Sequence, residues 1–520
     1  MDAHVRGERR PLLIAALAGI LLVLTVLPAL LKPSEFLQDD SYFYLQIAHN
    51  IAIGKGSTFH GITATNGYHP LWMVGAVSAA LLAGGDKAAT LHITVAIQAL
   101  LAIGVALLFV RLARGMGLEH RLAGVAVILG YLFGTGVYGS EAHLNALMLM
   151  AGMLALWHAL TLDRSRLWLA SGLLLGLAVL ARLDNIFVAA ALCILGALNG
   201  REHGVAQVVK RTSLAAVGGA AVVGPYLALN WFQYGHLMPI SGAIKSTFPS
   251  FDFELDRLGA MGELAAPFGA VMLFVGLFLD KDRRRRVLWC GLGSGIIAHA
   301  LYVIGFTDHY TFWAWYYVSG VLAAGFMAAY LPGWVASKIG SARASAGFRS
   351  LVIAATLAIL TAGAARAWFK AFNPIKMGSV TIDYPVNEYR WPEEFATWMK
   401  HNLSSESVIF VLDWPGALAW YSGLRVMPMD GLVSDFRYND ALLEVGASDY
   451  LCAHGITHYF GLMDDGRATR QVTVPAPLYR RPAGTLSLSE QQLVIRVRDV
   501  VKRPDEALPF VIWRVDCPKD

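Results

Sequence analysis

The sequence has few charged residues for its length. Of its 520 residues, 15% are charged and 56% are hydrophobic, whereas a soluble domain usually carries about 25% charged residues. The deficit lies in the first 370 residues, where apolar runs such as 12–31 and 351–368 approach the roughly 20 residues that cross a bilayer. No A-x-A-like cleavage site follows the first run. The composition therefore excludes an ordinary soluble protein and predicts one that stays in the membrane.

Several enzyme signatures are also missing. The sequence contains no Walker loop, HExxH, GxSxG or CxxC pair, so nucleotide hydrolysis, zinc proteolysis and serine esterase chemistry have no support. The net charge of +5 is modest and its Lys and Arg residues cluster in short loops, which indicates membrane topology rather than nucleic-acid binding. Of the four cysteines, Cys193 and Cys290 lie in or beside apolar runs. Cys452 and Cys517 could pair if the C-terminal part faces an oxidising compartment.

The distribution of positive charge predicts which loops face the cytoplasm. Arg6, Arg9 and Arg10 should hold the N-terminus inside. The apolar stretch 70–83 has about 14 residues, which is short for a span and suits an interfacial or re-entrant segment. If it does not cross, nineteen Lys and Arg residues fall in inner segments and six in outer loops. If it does cross, Arg283–Arg286 are exported, so the positive-inside rule favours the first arrangement.

This arrangement predicts a mostly α, polytopic fold in two parts. Residues 1–368 form a transmembrane domain with its first outer loop at 32–87, and residues 369–520 form an extracytoplasmic α/β or α+β domain, of ordinary size. In the second part, 391–402 is helix-like, 407–412 and 493–497 are strand-like, and turn signals stand at 414–416, 430–431 and 464–466. About eleven spans are predicted, near 11–31, 88–110, 121–138, 142–161, 167–181, 186–198, 212–230, 263–279, 287–306, 313–331 and 351–368.

Two adjacent carboxylates, Asp39 and Asp40, follow the first span. Either could deprotonate an acceptor hydroxyl, and together they could hold a divalent cation such as Mg, Mn or Ca. Alternatively, one of them simply caps the helix that begins near Ser41. The apolar residues at positions 43, 47 and 51 share one face of that helix, which predicts a face that lies on the bilayer surface.

Further outer loops carry ionisable and aromatic residues that could bind a substrate. An ionisable residue near a membrane is a functional candidate by default, and Lys245 suits a phosphate as a compact point charge. Arg182 and Asp184 could instead pair with each other, and aromatic residues at a span end often form an interfacial belt. The binding candidates are Tyr68, His69, Glu141, Arg182, Asp184, Lys245, Asp308, His309 and Trp315.

The first outer loop resembles that of GT-C glycosyltransferases. The resemblance rests on Asp39-Asp40-Ser41-Tyr42-Phe43 and on Asn66-Gly67-Tyr68-His69-Pro70-Leu71-Trp72. It continues at 140–141, 181–184, 234–239 with Lys245, 413–423 and 430–433, so it spans most of the chain. Within that superfamily the chain resembles the group containing the terminal arabinofuranosyltransferases of mycobacterial cell walls. Relatives commonly show Arg-Pro-Asp or Arg-Pro-Glu and Gly-Met-Glu, where this chain has Arg182-Leu183-Asp184 and Gly139-Ser140-Glu141, so the sugar stays open.

The resemblance implies an inverting glycosyltransferase of the bacterial plasma (inner) membrane. Its donor would be a polyprenyl-phosphate-linked sugar, arabinofuranose or another pentose or hexose. A membrane-borne donor also agrees with an outer site, because nucleotide-sugars are absent outside the cytoplasm. Its acceptor would be an envelope glycan, lipid or protein. Asp40 or Asp39 would be the base, and the stretch 413–423 of the outer domain would lean over the cavity.

Two alternatives compete with an enzyme. A transporter or flippase of a lipid-linked saccharide would carry ionisable groups near mid-membrane and internal repeats. The ionisable residues here lie mainly at the outer mouth, and no repeat is evident. A non-catalytic envelope assembly protein would use the outer domain but would give Asp39 and Asp40 no role.

Overall fold

Long helices dominate the structure, which is a computed structural model describing residues 2–134, 137–199, 204–307, 314–339, 342–372, 391–411, 414–438, 447–461, 471–475, 492–502 and 511–517. The helices up to residue 372 are α1 (Asp2–Leu31), α2 (Asp39–Ala52), α3 (Pro70–Leu82), α4 (Lys87–Gly115), α5 (Arg121–Gly134), α6 (Ala142–Leu162), α7 (Ser165–Ala181), α8 (Ile186–Leu198), α9 (Val205–Tyr234), α10 (Ile240–Lys245), α11 (Gly259–Phe274), α12 (Arg283–Phe306), α13 (Val318–Lys338) and α14 (Ala342–Phe372).

The helical part is that of an integral membrane protein. Within the described ranges, seven helices are long and apolar enough to cross a bilayer: 87–115, 142–162, 205–234, 262–279, 283–306, 315–338 and 344–372. Five shorter apolar helices accompany them, at 16–31, 70–82, 121–133, 165–181 and 183–198. A helix occupies the position of each predicted span, so the prediction of a polytopic helical fold is confirmed. The prediction of about eleven spans relies on four of the shorter helices.

Helix α3 is too short to cross a bilayer upright. It has 13 residues and begins at Pro70, where a fixed φ and the missing N–H suit the first helical turn. At 1.5 Å per residue it rises about 20 Å, against the roughly 30 Å of a hydrocarbon core. This length agrees with the predicted re-entrant or interfacial segment.

A mixed six-stranded sheet with flanking helices forms the C-terminal region, defined here as the described residues from 391 to 517. Its helices are α15 (Trp391–Asn402), α16 (Pro415–Ser422) and α17 (Ala447–Ala453). Its strands are β1 (Val408–Val411), β2 (Arg425–Pro428), β3 (His458–Gly461), β4 (Gln471–Pro475), β5 (Gln492–Lys502) and β6 (Val511–Val515). The strand order is β2-β1-β3-β6-β5-β4, with β1 parallel to β2 and β3 and the other pairs antiparallel. A disulfide between Cys452 and Cys517 ties α17 to the chain after β6.

The C-terminal region packs directly on helix α2 of the first loop. Phe43 and Ile47 of α2 are buried in a cluster with Phe395, Ile409 and Leu418. The prediction that this helix face lies on the bilayer surface is therefore wrong. An apolar stripe at helical spacing can pack against a protein core as well as against lipid. Here the sheet and its helices cover the stripe.

Two close backbone contacts join the same parts. A Cβ atom on Gly67 would lie 1.9 Å from the carbonyl oxygen of Leu432, and one on Gly416 would lie 2.4 Å from that of Asp39. The turn predicted at 414–416 is instead the start of α16, where Pro415 fills the first helical position. The turn signal at 464–466 lies outside the described residues.

Candidate functional site

The two adjacent carboxylates of the first loop have different surroundings. Both lie in the first turn of α2, where the helix dipole favours negative charge. The Asp39 carboxylate accepts hydrogen bonds from the backbone N–H groups of Gly416 (3.1 Å) and Ala417 (2.7 Å), and so holds the N-terminus of α16. Asp40 lines a cleft on another side of α2, and Asp39 does not.

The cleft collects polar side chains from distant parts of the sequence. Helix α2 supplies one wall and the loop before α3 a second. The remaining residues lie in α10, next to the ends of α6, α7 and α13, and at Leu432 of the C-terminal region. Most of the candidate binding residues therefore meet in one place. The lining residues are Asp40, Phe43, Tyr44, Ile47, Gly67, Tyr68, His69, Ser140, Glu141, Arg182, Ser241, Lys245, Trp315, Tyr316 and Leu432.

Arg182 stands in the wall of the cleft between two carboxylates. It bonds Glu141 through Nη1 and lies 2.9 Å (Nε) and 2.8 Å (Nη2) from one oxygen of Asp184. Its side chain is 4% exposed and that of Glu141 is 2% exposed. Its guanidinium also stacks over the Tyr316 ring at 3.9 Å. The predicted pairing of Arg182 and Asp184 is thus present, and two neighbouring carboxylates offset the charge that Arg182 presents to a ligand.

Lys245 is the second cation of the cleft, at the end of α10. Its Nζ donates to the Tyr316 hydroxyl at 2.7 Å. Burial works against the charged form, but the Tyr316 hydroxyl and the Asp40 carboxylate outweigh that cost and raise the pKa of Lys245. Lys245 therefore stays charged at neutral pH and is attracted electrostatically by the Asp40 carboxylate across the cleft.

His69 lies at the N-terminus of α3, beside the Arg182 cluster. Its Nε2 is 3.9 Å from a Glu141 oxygen, and its Nδ1 faces the backbone N–H of Leu183 at 3.5 Å. Burial lowers the pKa of His69 to about 4, because desolvation disfavours the charged imidazolium. His69 is therefore neutral at pH 7. Tyr44 completes this side by donating to the other Glu141 oxygen at 3.0 Å.

An apolar groove adjoins the cleft. Its walls include Ile186, Phe187, Met238, Pro239 and Val303. The groove and the cleft share five lining residues: His69, Arg182, Ser241, Lys245 and Tyr316. Asp184 and His299 line the groove but not the cleft. A carboxylate oxygen of Asp184 lies 3.4 Å from Nε2 of His299. The cationic groups thus stand where a polar cleft meets an apolar groove.

Leu432 is the residue through which the C-terminal region contributes to the cleft lining. The stretch expected to lean over the cavity lies elsewhere in its described part: Ala417 bonds Asp39, and the Tyr421 hydroxyl is 2.7 Å from that of Tyr42. Asp413 lies outside the described residues, as do Asp308 and His309. Trp315 lines the cleft, and its role as a binding residue stays a prediction.

The sequence did not single out Tyr44, Ser241 or Tyr316, which are polar residues of the cleft. Tyr316 follows Trp315 in an aromatic run that looked like an interfacial belt, and Tyr44 is a helix residue with no motif of its own. Ser241 lies in the short helix α10, and nothing in the sequence marks it. A search for polar residues on the same helix face as Asp40, three or four positions away, would have found Tyr44.

No group of three or more His, Cys, Asp or Glu side chains is placed to hold a metal ion within the described ranges. Asp39 directs its carboxylate at α16 and Asp40 lines the cleft, and a divalent cation held by the pair stays a prediction.

Among solved structures, this chain is similar to ArnT from Cupriavidus metallidurans. ArnT bound to undecaprenyl phosphate aligns at 14% identity with a TM-score of 0.56, covering 97% of each chain. The apo state of the same protein aligns at 13% identity with a TM-score of 0.50, covering 98% of each. No protein-family model and no curated protein matches the sequence.

A longer solved protein aligns more loosely. Arabinofuranosyltransferase AftD from Mycobacteria aligns at 14% identity with a TM-score of 0.43, covering 97% of this chain and 40% of AftD. Since the ArnT likeness covers 97% of this chain, the expected fold, a polytopic helical domain followed by a small sheet region, is confirmed.

Proposed function

We propose that this chain is an inverting glycosyltransferase that moves a sugar from a polyprenyl-phosphate donor to an envelope glycan, lipid or protein. The observation that supports it is the shared wall of cleft and groove, where Lys245 and Arg182 stand between a carboxylate-bearing cleft and an apolar groove. A ligand with an anionic head and a long apolar tail fits both spaces at once. ArnT, of similar fold, binds such a molecule, undecaprenyl phosphate.

The proposed chemistry is a single displacement at the anomeric carbon. Asp40 accepts the proton of an acceptor hydroxyl as that oxygen attacks the carbon. The bond between this carbon and the phosphate oxygen breaks, and its electron pair leaves with the polyprenyl phosphate. The configuration at the anomeric carbon is thereby inverted. Asp39 has no part in the step, because its carboxylate holds α16.

Lys245 is the first candidate for stabilising the departing phosphate. Among the described residues, Lys245 bonds the Tyr316 hydroxyl and interacts with the Asp40 carboxylate at longer range, whereas Glu141 and Asp184 both contact Arg182. A cation already held by two carboxylates offers less net attraction to an anion than one bonded to a hydroxyl group. Arg182 serves as a second, oriented donor, and neutral His69 can donate a hydrogen bond without adding charge.

The site is proposed to face the extracytoplasmic side of a bacterial inner membrane. The excess of Lys and Arg in the opposite loops supports that orientation. The disulfide between Cys452 and Cys517 supports it independently, because disulfides persist in oxidising compartments.

Reconstitution of the purified protein in proteoliposomes tests this proposal. Labelled polyprenyl-phosphate pentoses and hexoses are supplied with an envelope extract, and transferred label, released polyprenyl phosphate and the anomeric configuration of the product are measured. The proposal predicts equal amounts of transferred sugar and released lipid phosphate, with inversion. Movement of the intact lipid-linked sugar across the bilayer without an acceptor would identify a transporter instead. If no donor gives either transfer or movement, the result would favour an assembly protein.

A further inference from the structure

A single glutamine interrupts the apolar interior of helix α4. Gln98 is fully buried (0% exposed) within Lys87–Gly115. A buried amide in a membrane span needs partners for its donor and acceptor groups. Gln98 finds them on another part of the chain, in the turn that precedes α6.

Gln98 holds that turn with both ends of its amide. Its Nε2 donates to the carbonyl oxygen of Ser140 at 2.8 Å, and its Oε1 accepts from the N–H of Gly139 at 2.8 Å. Two bonds to the backbone of adjacent residues fix both the position and the tilt of the turn. An apolar residue of the same size could fill the space but could not orient the backbone.

Two residues of the first loop hydrogen-bond the same turn from the other side. Ser41 Oγ donates to the carbonyl of Tyr138 at 2.7 Å, and Trp72 Nε1 donates to the carbonyl of Gly139 at 2.8 Å. Gly139 has a φ of +81°, and a Cβ there would lie 2.4 Å from the Cβ of Ser41. The turn and α2 are therefore in contact at a point where only glycine fits.

The turn connects the two chemical sides of the cleft. Ser41 is the neighbour of Asp40 in sequence, so the bond from Ser41 ties the carboxylate side to the turn. Ser140 is the neighbour of Glu141, which bonds Arg182 and accepts from Tyr44. A movement of the turn would therefore change the spacing between Asp40 and the Arg182–Glu141 pair.

We propose that Gln98 is a positioning residue that sets the spacing between the Asp40 side and the Arg182–Glu141 side of the cleft. The expected effect on turnover rests on the proposed glycosyl transfer. That Gln98 holds the turn does not depend on it. A displacement of about 1 Å between reacting groups can lower a rate by about 100-fold. Loss of Gln98 should accordingly affect turnover far more than lipid binding, because none of the turn residues 138–140 lines the apolar groove.

The test compares Gln98→Met with Thr94→Val. Methionine keeps most of the volume and removes both bonds to the turn. Thr94 is equally buried one helical turn away, and its hydroxyl bonds only the Thr90 carbonyl of its own helix at 2.8 Å. Hydrogen exchange is measured for segments 37–44 and 137–142, with undecaprenyl phosphate as the binding probe. Turnover is measured with a donor that the wild type uses.

Gln98→Met should accelerate exchange in both segments, lower turnover about 10- to 100-fold, and change undecaprenyl phosphate affinity less than about threefold. In an Asp40→Glu background, where the carboxylate is already displaced, the further loss should be clearly smaller. Thr94→Val should resemble the wild type. If Gln98→Met does not fold, Ser41→Ala removes one bond to the same turn and should show the same effects more weakly.

Unchanged exchange in both segments would overturn the proposal. Equal effects of Thr94→Val, or losses that simply multiply with Asp40→Glu, would also overturn it, since they would indicate a general packing role. If the wild type consumes no donor, the proposed transfer fails, whereas hydrogen exchange still decides whether Gln98 holds the turn.

Discussion

Asp39 and Asp40 are neighbours in sequence but serve different parts of the molecule: Asp39 binds the N-terminus of α16, and Asp40 lines the cleft. Their separation follows from the helix, since successive residues of an α-helix point about 100° apart. The C-terminal region covers one of these directions and leaves the other to the cleft. One carboxylate thereby attaches a domain beside the residue proposed to react.

Replacing Asp39 should weaken the attachment of the C-terminal region. Asp39→Ala removes a carboxylate that accepts from two helix N–H groups, a loss comparable to that of a helix cap, about 1–2 kcal/mol. Limited proteolysis of the C-terminal region and the thermal unfolding midpoint measure the effect. Asp39→Asn keeps an acceptor oxygen and should lie between Asp39→Ala and the wild type. Wild-type proteolysis of Asp39→Ala would show that this contact contributes little.

Replacing Lys245 should weaken binding of the lipid phosphate. Lys245→Met removes the cation that the Tyr316 hydroxyl orients, and loss of one buried charge-assisted contact of about 1.5–3 kcal/mol corresponds to roughly 10- to 100-fold in affinity. Undecaprenyl phosphate binding to the purified protein measures the change. Lys55→Met, an exposed lysine in the same first loop, is the matched control. If both variants bind undecaprenyl phosphate with equal affinity, the phosphate binds at a site that does not include Lys245.

The buried state of His69 predicts a pH dependence of stability. Burial lowers its pKa from 6.5 to about 4, so between these values the unfolded chain binds the proton that the folded protein excludes. Stability is therefore full above pH 6.5 and falls as the pH decreases towards 4, by up to about 3 kcal/mol. Thermal unfolding midpoints of the wild type and His69→Gln across this range measure the contribution. Parallel curves for the two proteins would show that His69 is not the group concerned.

The disulfide should stabilise the C-terminal region against unfolding. It joins residues 65 positions apart, and removing a native disulfide typically costs about 2–5 kcal/mol. A Cys452→Ser, Cys517→Ser double variant should become more sensitive to protease in this region. Thiol labelling of the unfolded wild type without reductant should detect Cys193 and Cys290 only. Labelling of all four cysteines would contradict the bond.

The contact at Gly67 should tolerate no side chain. A Cβ there would lie 1.9 Å from the Leu432 carbonyl oxygen, so Gly67→Ala must push the C-terminal region away from the cleft. We expect lower turnover and faster hydrogen exchange in 430–436. Gly54→Ala is the control in the same loop, because a Cβ at Gly54 meets no atom within 4 Å, although its φ of +81° adds local strain. Equal behaviour of the two variants would argue against a functional contact.

Long apolar runs and capping residues made the helical framework predictable from the sequence. The helix predicted at 391–402 is present with those bounds, since its amphipathic pattern needs only local information. The separate directions of Asp39 and Asp40 depend on where α16 docks, some 377 positions away. The role of Gln98 was equally hidden, because a lone amide in an apolar helix has no motif until the turn at Gly139 is placed beside it.

Sugar transfer by matched variants tests the central claim most directly. Wild type, Asp40→Asn and Asp39→Asn are purified, their folding is verified by thermal unfolding, and release of labelled sugar from polyprenyl-phosphate donors is followed in the presence of envelope extract. The account predicts that Asp40→Asn loses transfer by at least about 100-fold while still binding undecaprenyl phosphate, and that Asp39→Asn retains most of its turnover. Wild-type transfer by Asp40→Asn, or a collapse confined to Asp39→Asn, would contradict the assignment of Asp40 as the base.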